Sequence, residues 1–142
     1  MDFVGSHILS VSQFQRKDID KVFKTADQMV PYASRQRVTR VLEGAILGNM
    51  FFEPSTRTRV SFGSAWNLLG GEVRETAEVN SSSIAKGESF YDTARVLSGY
   101  SDAIVMRHPV PGAPLQLTQF VDAVVINAGD GKHGHPTQAM LD

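Results

Sequence analysis

Apolar residues along the chain recur either at helical spacing or in short continuous runs. Over residues 15–32 they recur at helical spacing with charged residues between them, which predicts an amphipathic helix that covers a core and ends near Pro31. The apolar positions of this predicted helix are Ile19, Val22, Phe23, Ala26 and Val30. Residues 34–44 are polar without a clean period, so the pattern predicts no element there.

From residue 45 onward the pattern alternates between strands and helices. Continuous apolar runs predict strands at residues 45–52, 103–106 and 123–128, and residues 72–77 are a candidate for a further strand. Helical spacing predicts helices at residues 62–69, 90–97 and, more weakly, 115–121. Pro136 stands where a further helix can begin, because a proline in the first turn loses no hydrogen bond. This alternation predicts an α/β fold, a parallel four-stranded sheet with helices on both faces.

Length and composition narrow the class of protein. A chain of 142 residues is long enough for one domain with a core and too short for two. Fourteen basic and fifteen acidic side chains leave a formal charge of −1, which gives no reason to expect nucleic acid or a membrane as a partner. The absence of cysteine excludes disulfides, thiol catalysis and thiolate zinc sites. Because neither a secretory signal nor an apolar run of roughly 20 residues is visible, we expect a cytoplasmic protein.

The loop at residues 53–59 (Glu-Pro-Ser-Thr-Arg-Thr-Arg) lies directly between a predicted strand and a predicted helix. Backbone N–H groups at a helix N-terminus favour an anion, and Ser55, Thr56 and Thr58 add hydroxyl donors. The planar guanidinium of Arg57 matches the oxygens of a phosphate. The alternative is an ordinary Ser/Thr helix cap beside solvated arginines, and the spacing alone does not decide between the two.

Two further segments follow predicted strands and should reach the same edge of the sheet, since ligands of open parallel sheets bind at the C-terminal ends of the strands. Arg107 ends the third strand run, where an isolated arginine is more often a solvated charge. His135 and Gln138 are three residues apart on one face of the last predicted helix, where they could bind a polar ligand or lie on the surface. The pair His133 and His135 lacks further ligands at metal-binding spacing, so we expect no metal site.

Four blocks of sequence, in this order, resemble the catalytic chains of the aspartate carbamoyltransferases, within the aspartate/ornithine carbamoyltransferase family. They are Phe-Phe-Glu-Pro-Ser-Thr-Arg-Thr-Arg at 51–59, Lys-Gly-Glu at 86–88, Met-Arg-His-Pro at 106–109, and Asn-Ala-Gly-Asp-Gly at 127–131 with His-Pro-Thr-Gln at 135–138. The resemblance implies transfer of a carbamoyl group from carbamoyl phosphate to the amino group of L-aspartate, a step of pyrimidine biosynthesis, by a homotrimer with shared active sites. It calls for no cofactor and no metal.

The resemblance also implies a role for each matching residue. The phosphate of carbamoyl phosphate would be bound by Ser55, Thr56, Arg57 and Thr58. Three residues with a catalytic role would point at its carbonyl oxygen, namely Thr58, Arg107 and His135. Gln138 would contact the amino group, and Ser82 and Lys86 would reach the site from a neighbouring subunit. Without the resemblance, Lys86 would be taken for a solvated side chain in a polar loop.

Residues 1–142 are expected to form the carbamoyl-phosphate-binding domain, incomplete and without the aspartate-binding domain, so that most of the aspartate site would lie outside this chain. Ornithine carbamoyltransferase is the nearest alternative, because it shares the Ser-Thr-Arg-Thr loop, although the Met-Arg-His-Pro and Asn-Ala-Gly-Asp-Gly blocks favour the aspartate enzyme. A non-catalytic module that binds carbamoyl phosphate or assembles with longer subunits is another alternative.

Overall fold

The computed structural model describes residues 1–76, 90–132 and 134–142. Four strands are present, β1 (Ile46–Phe51), β2 (Glu72–Thr76), β3 (Ala103–His108) and β4 (Val124–Asp130). The α-helices are α1 (Arg16–Ala33), α2 (Thr56–Leu68), α3 (Phe90–Gly99), α4 (Ala113–Leu117) and α5 (Pro136–Leu141). A short 3-10 helix spans Val11–Gln13. The Glu78–Gly87 segment, with Ser82 and Lys86, and also His133, lie outside the described residues.

The four strands form one parallel sheet in the order β2-β1-β3-β4. This confirms the predicted parallel four-stranded sheet. The chain leaves β1 toward β2 at one edge and then returns to build β3 on the other side of β1. The order of the strands therefore reverses between β1 and β3, and open α/β sheets bind ligands at such a reversal, outside the C-terminal ends of the strands.

Helices cover both faces of the sheet, as the alternation of the sequence predicts. On the face with α3 and α4, the core consists of Met50, Ala94, Ile104, Met106, Ala113, Leu117, Ala123 and Val125. On the face with α2, it consists of Leu47, Phe51, Ala103, Val105 and Ala128, with Phe62 and Trp66 packed against them. Residues of one strand alternate between these two faces, so a strand buried on both sides is apolar throughout.

Several elements differ in their bounds from the sequence pattern. Helix α1 continues past Pro31 to Ala33, and its apolar face is only partly covered by the described residues, since Ile19 and Val22 are half-buried while Phe23 is 46% and Val30 58% exposed. Helix α4 ends at Leu117 rather than near residue 121, and tighter hydrogen bonds of the i→i+3 type continue the turn from there to Phe120. Strands β3 and β4 each extend two residues beyond the apolar runs that predict them.

The N-terminal segment runs along the free edge of β4. The N–H of Ile8 donates to the carbonyl of Val125 (2.9 Å), and the N–H of Asn127 donates to the carbonyl of Ile8 (2.8 Å). The segment thus acts as a one-residue extension of the sheet next to the loop that follows β4. Among the helices of the described residues, none combines the length and the apolar character that crossing a bilayer requires.

Candidate functional site

Three of the predicted site segments lie side by side at the C-terminal edge of the sheet. Strands β1, β3 and β4 are adjacent, and their ends are in register, with Phe51 opposite Arg107 and His108 opposite Asp130. The loop into α2, the end of β3 and the loop after β4 therefore converge, as the sequence predicts from the polarity of a parallel sheet.

The guanidinium group of Arg107 links these segments. Its Nε donates to Oε1 of Glu53 (2.9 Å), and its Nη1 donates to Oγ of Ser55 (3.2 Å) and to the carbonyl of Ala128 (3.4 Å). The side chains of Arg107 and Glu53 are 28% and 33% exposed, so the ion pair is accessible to a ligand. These bonds are made by Nε and Nη1. Nη2 donates to none of the described residues, so it can donate to a ligand.

The N-terminus of α2 presents donors beside this guanidinium group. Ser55 is the N-cap residue, but its hydroxyl makes no capping bond to the helix among the described residues and accepts from Arg107 instead. The helix follows β1 after only four residues, 52–55, so its first-turn N–H groups lie at the edge of the sheet. Thr56 and Arg57 are exposed and Thr58 is half-buried in this first turn. Such an uncapped N-terminus favours a negative charge.

The loop after β4 brings its backbone against Arg107. Gly129 has a φ of +144°, and a Cβ at this position would lie 2.8 Å from Cγ and 3.0 Å from Nε of Arg107. Only glycine combines this backbone conformation with so close an approach. The arginine side chain therefore lies across the backbone of Gly129, and the glycine allows it to reach Glu53 and Ser55.

His135 lies at the far end of the same loop, as the N-cap residue of α5. Burial lowers the pKa of the His135 imidazole below its ordinary value, and the positive charge of Arg107 lowers it further. The ring is therefore neutral at neutral pH and can donate a hydrogen bond without carrying a charge. Its Nε2 lies 3.1 Å from Oγ1 of Thr137. Gln138 is exposed, and its Nε2 donates to Oδ1 of Asp142 (3.3 Å).

His108, the last residue of β3, lies at the same C-terminal edge of the sheet. Its ring centroid is 5.0 Å from that of Phe52, and its Nδ1 accepts from the N–H of Val110 (3.0 Å). Burial lowers the pKa of His108 below its ordinary value, although the carboxylates of Glu53 and Asp130 act in the opposite direction. Since Nδ1 is an acceptor, the ring is neutral in this arrangement.

The structure brings some of the candidate residues into direct relation and leaves others apart. Ser55 contacts Arg107, and His135 is close enough to experience its charge. In contrast, the side chain of Gln138 is directed to the end of α5. Sequence reasoning assigned no role to Glu53 or Gly129. The one feature of the sequence that could have indicated a role for Glu53 is that it is an acidic residue in a loop whose other side chains suit an anion.

Together these groups provide a set of fixed hydrogen-bond donors at one point of the sheet edge. They are the guanidinium of Arg107, the neutral imidazole of His135, and the first turn of α2 with its hydroxyl groups and Arg57. Such a set can hold an anion and, at the same time, stabilise negative charge that develops on a neighbouring carbonyl oxygen.

Comparison with known proteins identifies related chains. The family model described as "Aspartate/ornithine carbamoyltransferase, carbamoyl-P binding domain" matches residues 6–142. The chain is 70% identical to the aspartate carbamoyltransferase catalytic subunit of Saccharophagus degradans and 67% identical to that of Cellvibrio japonicus, in each case over 142 residues. It covers 100% of itself and 42% of each of these relatives, so it spans less than half of their length.

Solved structures agree with these relatives. Aspartate transcarbamoylase from Trypanosoma cruzi, in complex with carbamoyl phosphate and aspartate, superimposes with a TM-score of 0.91 at 42% identity, over 97% of this chain and 43% of that chain. The catalytic subunit of the M. jannaschii enzyme gives a TM-score of 0.89 at 45% identity, over 96% of this chain and 45% of that chain.

Proposed function

This chain belongs to the aspartate/ornithine carbamoyltransferase family, and on that basis we propose that residues 1–142 form the carbamoyl-phosphate-binding domain of an aspartate carbamoyltransferase. The enzyme would transfer the carbamoyl group of carbamoyl phosphate to the amino group of L-aspartate, giving N-carbamoyl-L-aspartate and phosphate, as a step of pyrimidine biosynthesis. The observation that carries the proposal is the guanidinium of Arg107, held by Glu53 and Ser55 beside the N-terminus of α2.

The phosphate of carbamoyl phosphate would bind at the first turn of α2. There the helix dipole, unpaired N–H groups and the hydroxyl groups of Ser55, Thr56 and Thr58 all favour a dianion. Arg57, on the exposed side of the same turn, would add a bidentate contact to the phosphate oxygens. The same groups would stabilise the phosphate when it departs, because its negative charge increases as the bond to the carbamoyl carbon breaks.

The carbonyl oxygen of the carbamoyl group would face Arg107, His135 and Thr58. When the amine of aspartate attacks the carbamoyl carbon, negative charge grows on this oxygen. Fixed donors aimed at it lower the barrier, and each is worth roughly 3–4 kcal/mol in well-studied cases. The lowered pKa of His135 supports a neutral imidazole that acts as a hydrogen-bond donor rather than as a base. The bond between the carbamoyl carbon and the phosphate oxygen then breaks, and the proton of the attacking amine passes to the departing phosphate.

Other parts of the proposal rest on the sequence alone. Gln138 would have to turn away from Asp142 to contact the amino group of carbamoyl phosphate. Ser82 and Lys86 would enter the site from a neighbouring subunit of a homotrimer in the cytoplasm. The residues that hold aspartate would lie mostly outside these 142 residues.

The phosphate role of α2 can be tested by substituting Arg57 with alanine and measuring the affinity for carbamoyl phosphate by calorimetry. A hydrogen bond to a charged group contributes about 1.5–3 kcal/mol, and each 1.4 kcal/mol is a factor of ten, so the affinity should fall roughly ten- to hundredfold. Arg74→Ala is the matched control, because Arg74 is an exposed arginine on the edge strand β2 that pairs only with nearby Glu72 among the described residues. Unchanged affinity in Arg57→Ala would remove the proposed phosphate site.

A further inference from the structure

Asn127 is a buried polar residue on β4 that none of the roles above uses. It is 2% exposed, and it lies where the strand leads into the loop that carries Gly129 and His135. A buried carboxamide is costly unless its donors and its acceptor are satisfied, so its partners show what it holds.

The three partners that the Asn127 side chain has within the described part of the chain are all backbone groups. Its Oδ1 accepts from the N–H of Gly129 (2.8 Å), and its Nδ2 donates to the carbonyl of Gly134 (3.3 Å) and to the carbonyl of Leu9 (2.9 Å). Gly129 and Gly134 stand at the two ends of the loop, which a bond from the N–H of Asp130 to the carbonyl of Gly134 (3.1 Å) also closes. One side chain thus ties both ends of the loop to each other and to the N-terminal segment.

These bonds act on two of the three donors proposed to face the carbonyl oxygen, Arg107 and His135. At one end, the position of Gly129 decides whether the side chain of Arg107 can lie across the loop, since a Cβ there would be 2.8 Å from its Cγ. At the other end, the peptide plane that contains the carbonyl of Gly134 also contains the N–H of His135. A hydrogen bond that fixes this carbonyl therefore fixes the direction in which the backbone enters His135.

We propose that Asn127 is a positioning residue: by holding Gly129 and Gly134 it places the imidazole of His135 next to the guanidinium of Arg107. The importance of Asn127 for carbamoyl transfer rests on the proposed function. Its effect on the position of His135 does not depend on that function. It contacts neither the proposed substrate nor the reacting atoms, so its effect on the reaction passes through His135 and Arg107.

The test replaces Asn127 with leucine. The leucine side chain is similar in shape to that of asparagine and is likewise uncharged, but it has no hydrogen-bonding atoms. Asn49→Leu is the matched control, because Asn49 is also a buried asparagine on a strand of the sheet, 1% exposed, and donates to the carbonyl of Arg59 in α2. The pKa of His135 is followed by NMR of histidine-labelled protein, with the resonance assigned through His135→Gln. In Asn127→Leu this pKa should rise toward its ordinary value of 6.5, because the ring moves out toward water and away from Arg107. In Asn49→Leu it should stay where it is in the unchanged protein.

A kinetic measurement distinguishes misplacement of His135 and Arg107 from a general destabilisation of the site. In Asn127→Leu, kcat should fall roughly a hundredfold, as when one donor to the oxyanion is lost, while the affinity for inorganic phosphate, which would bind at α2, should be unchanged. A pKa of His135 that does not move, or that moves equally in Asn49→Leu, overturns the inference. The kinetics use a chain that also contains the aspartate-binding domain. If that chain has no carbamoyltransferase activity before substitution, the proposed function fails, and the NMR result still decides the role of Asn127.

A second measurement needs no substitution and covers the case in which Asn127→Leu does not fold. The amide proton of Gly129 should exchange slowly with deuterium in the native protein, because Oδ1 of Asn127 is its acceptor. Exchange of Gly129 as fast as that of an exposed loop amide means that the bond is absent in solution, and the inference is then wrong.

Discussion

The contact between Arg107 and Gly129 leads to a quantitative prediction for Gly129→Ala. The backbone of Gly129 has a φ of +144°, and adopting this conformation costs a residue with a Cβ about 1–3 kcal/mol. The new methyl group would also lie 2.8 Å from Cγ of Arg107, close to the root of the side chain, so the whole guanidinium group must move. The side chain then loses its bonds to Glu53 and Ser55.

The free energy of unfolding should fall by the sum of these two effects. Hydrogen bonds to a charged group contribute about 1.5–3 kcal/mol, but Arg107 and Glu53 are 28% and 33% exposed, which reduces the contribution of their pair to roughly 1 kcal/mol. Gly129→Ala should therefore cost about 2–4 kcal/mol. Gly134→Ala provides the matched control, since Gly134 has nearly the same φ, +141°, and a Cβ there would meet no described atom within 4 Å. It should cost only the backbone strain.

The assay is urea unfolding of Gly129→Ala and of Gly134→Ala, each made once with Arg107 present and once together with Arg107→Ala. The excess cost of Gly129→Ala over Gly134→Ala, roughly 1 kcal/mol, should disappear when Arg107 is already alanine. The same Gly129→Ala protein should bind carbamoyl phosphate at least about tenfold more weakly, because Arg107 no longer faces its carbonyl oxygen. If the excess is the same in both backgrounds, the arginine does not lie across Gly129 in solution, and the arrangement of the site described above is wrong.

Two further predictions concern pH and assembly. Because burial lowers the pKa of His108 below its ordinary value of 6.5, the unfolded chain binds more protons than the folded one as the pH falls below that value. The free energy of unfolding should thus decrease on acidification from about pH 7.5 to about pH 5. In His108→Asn, whose carboxamide oxygen can still accept from the N–H of Val110, urea titrations should show a weaker dependence on pH. An unchanged dependence on pH would contradict the role of burial. If active sites are shared between subunits, mixing inactive Lys86→Ala chains with inactive Arg57→Ala chains should restore part of the carbamoyltransferase activity, and no recovery in verified mixed trimers would exclude the shared site.

The strands and their polarity could be predicted because they depend on local patterns. Apart from Asn49 and Asn127, the runs 45–52 and 123–128 carry no polar side chain on either face, which occurs where helices cover both sides of a parallel sheet. Parallel polarity then brings the ends of β1, β3 and β4 to one edge, so the meeting of Arg107 with the loop of Ser55 also followed from the sequence.

The partners within the site could not be predicted in the same way. That Glu53 pairs with Arg107 depends on the register that sets Phe51 opposite Arg107, and register is a property of two strands that no local pattern records. The glycines at 129–134 predicted a loop, but not that an arginine lies across one of them. Periodicity likewise showed which face of α1 is apolar without showing what covers it, and Phe23 is 46% exposed among the described residues.

The formation of N-carbamoyl-L-aspartate tests the central claim most directly. A purified catalytic chain that contains both residues 1–142 and the aspartate-binding domain, with its intact mass determined, is incubated with carbamoyl phosphate and either L-aspartate or L-ornithine, and both the carbamoylated amine and the released phosphate are measured. We predict turnover with aspartate, equal amounts of the two products, no reaction with ornithine, and loss of activity in Arg107→Ala. Turnover with ornithine instead of aspartate, or with neither amine, would contradict it.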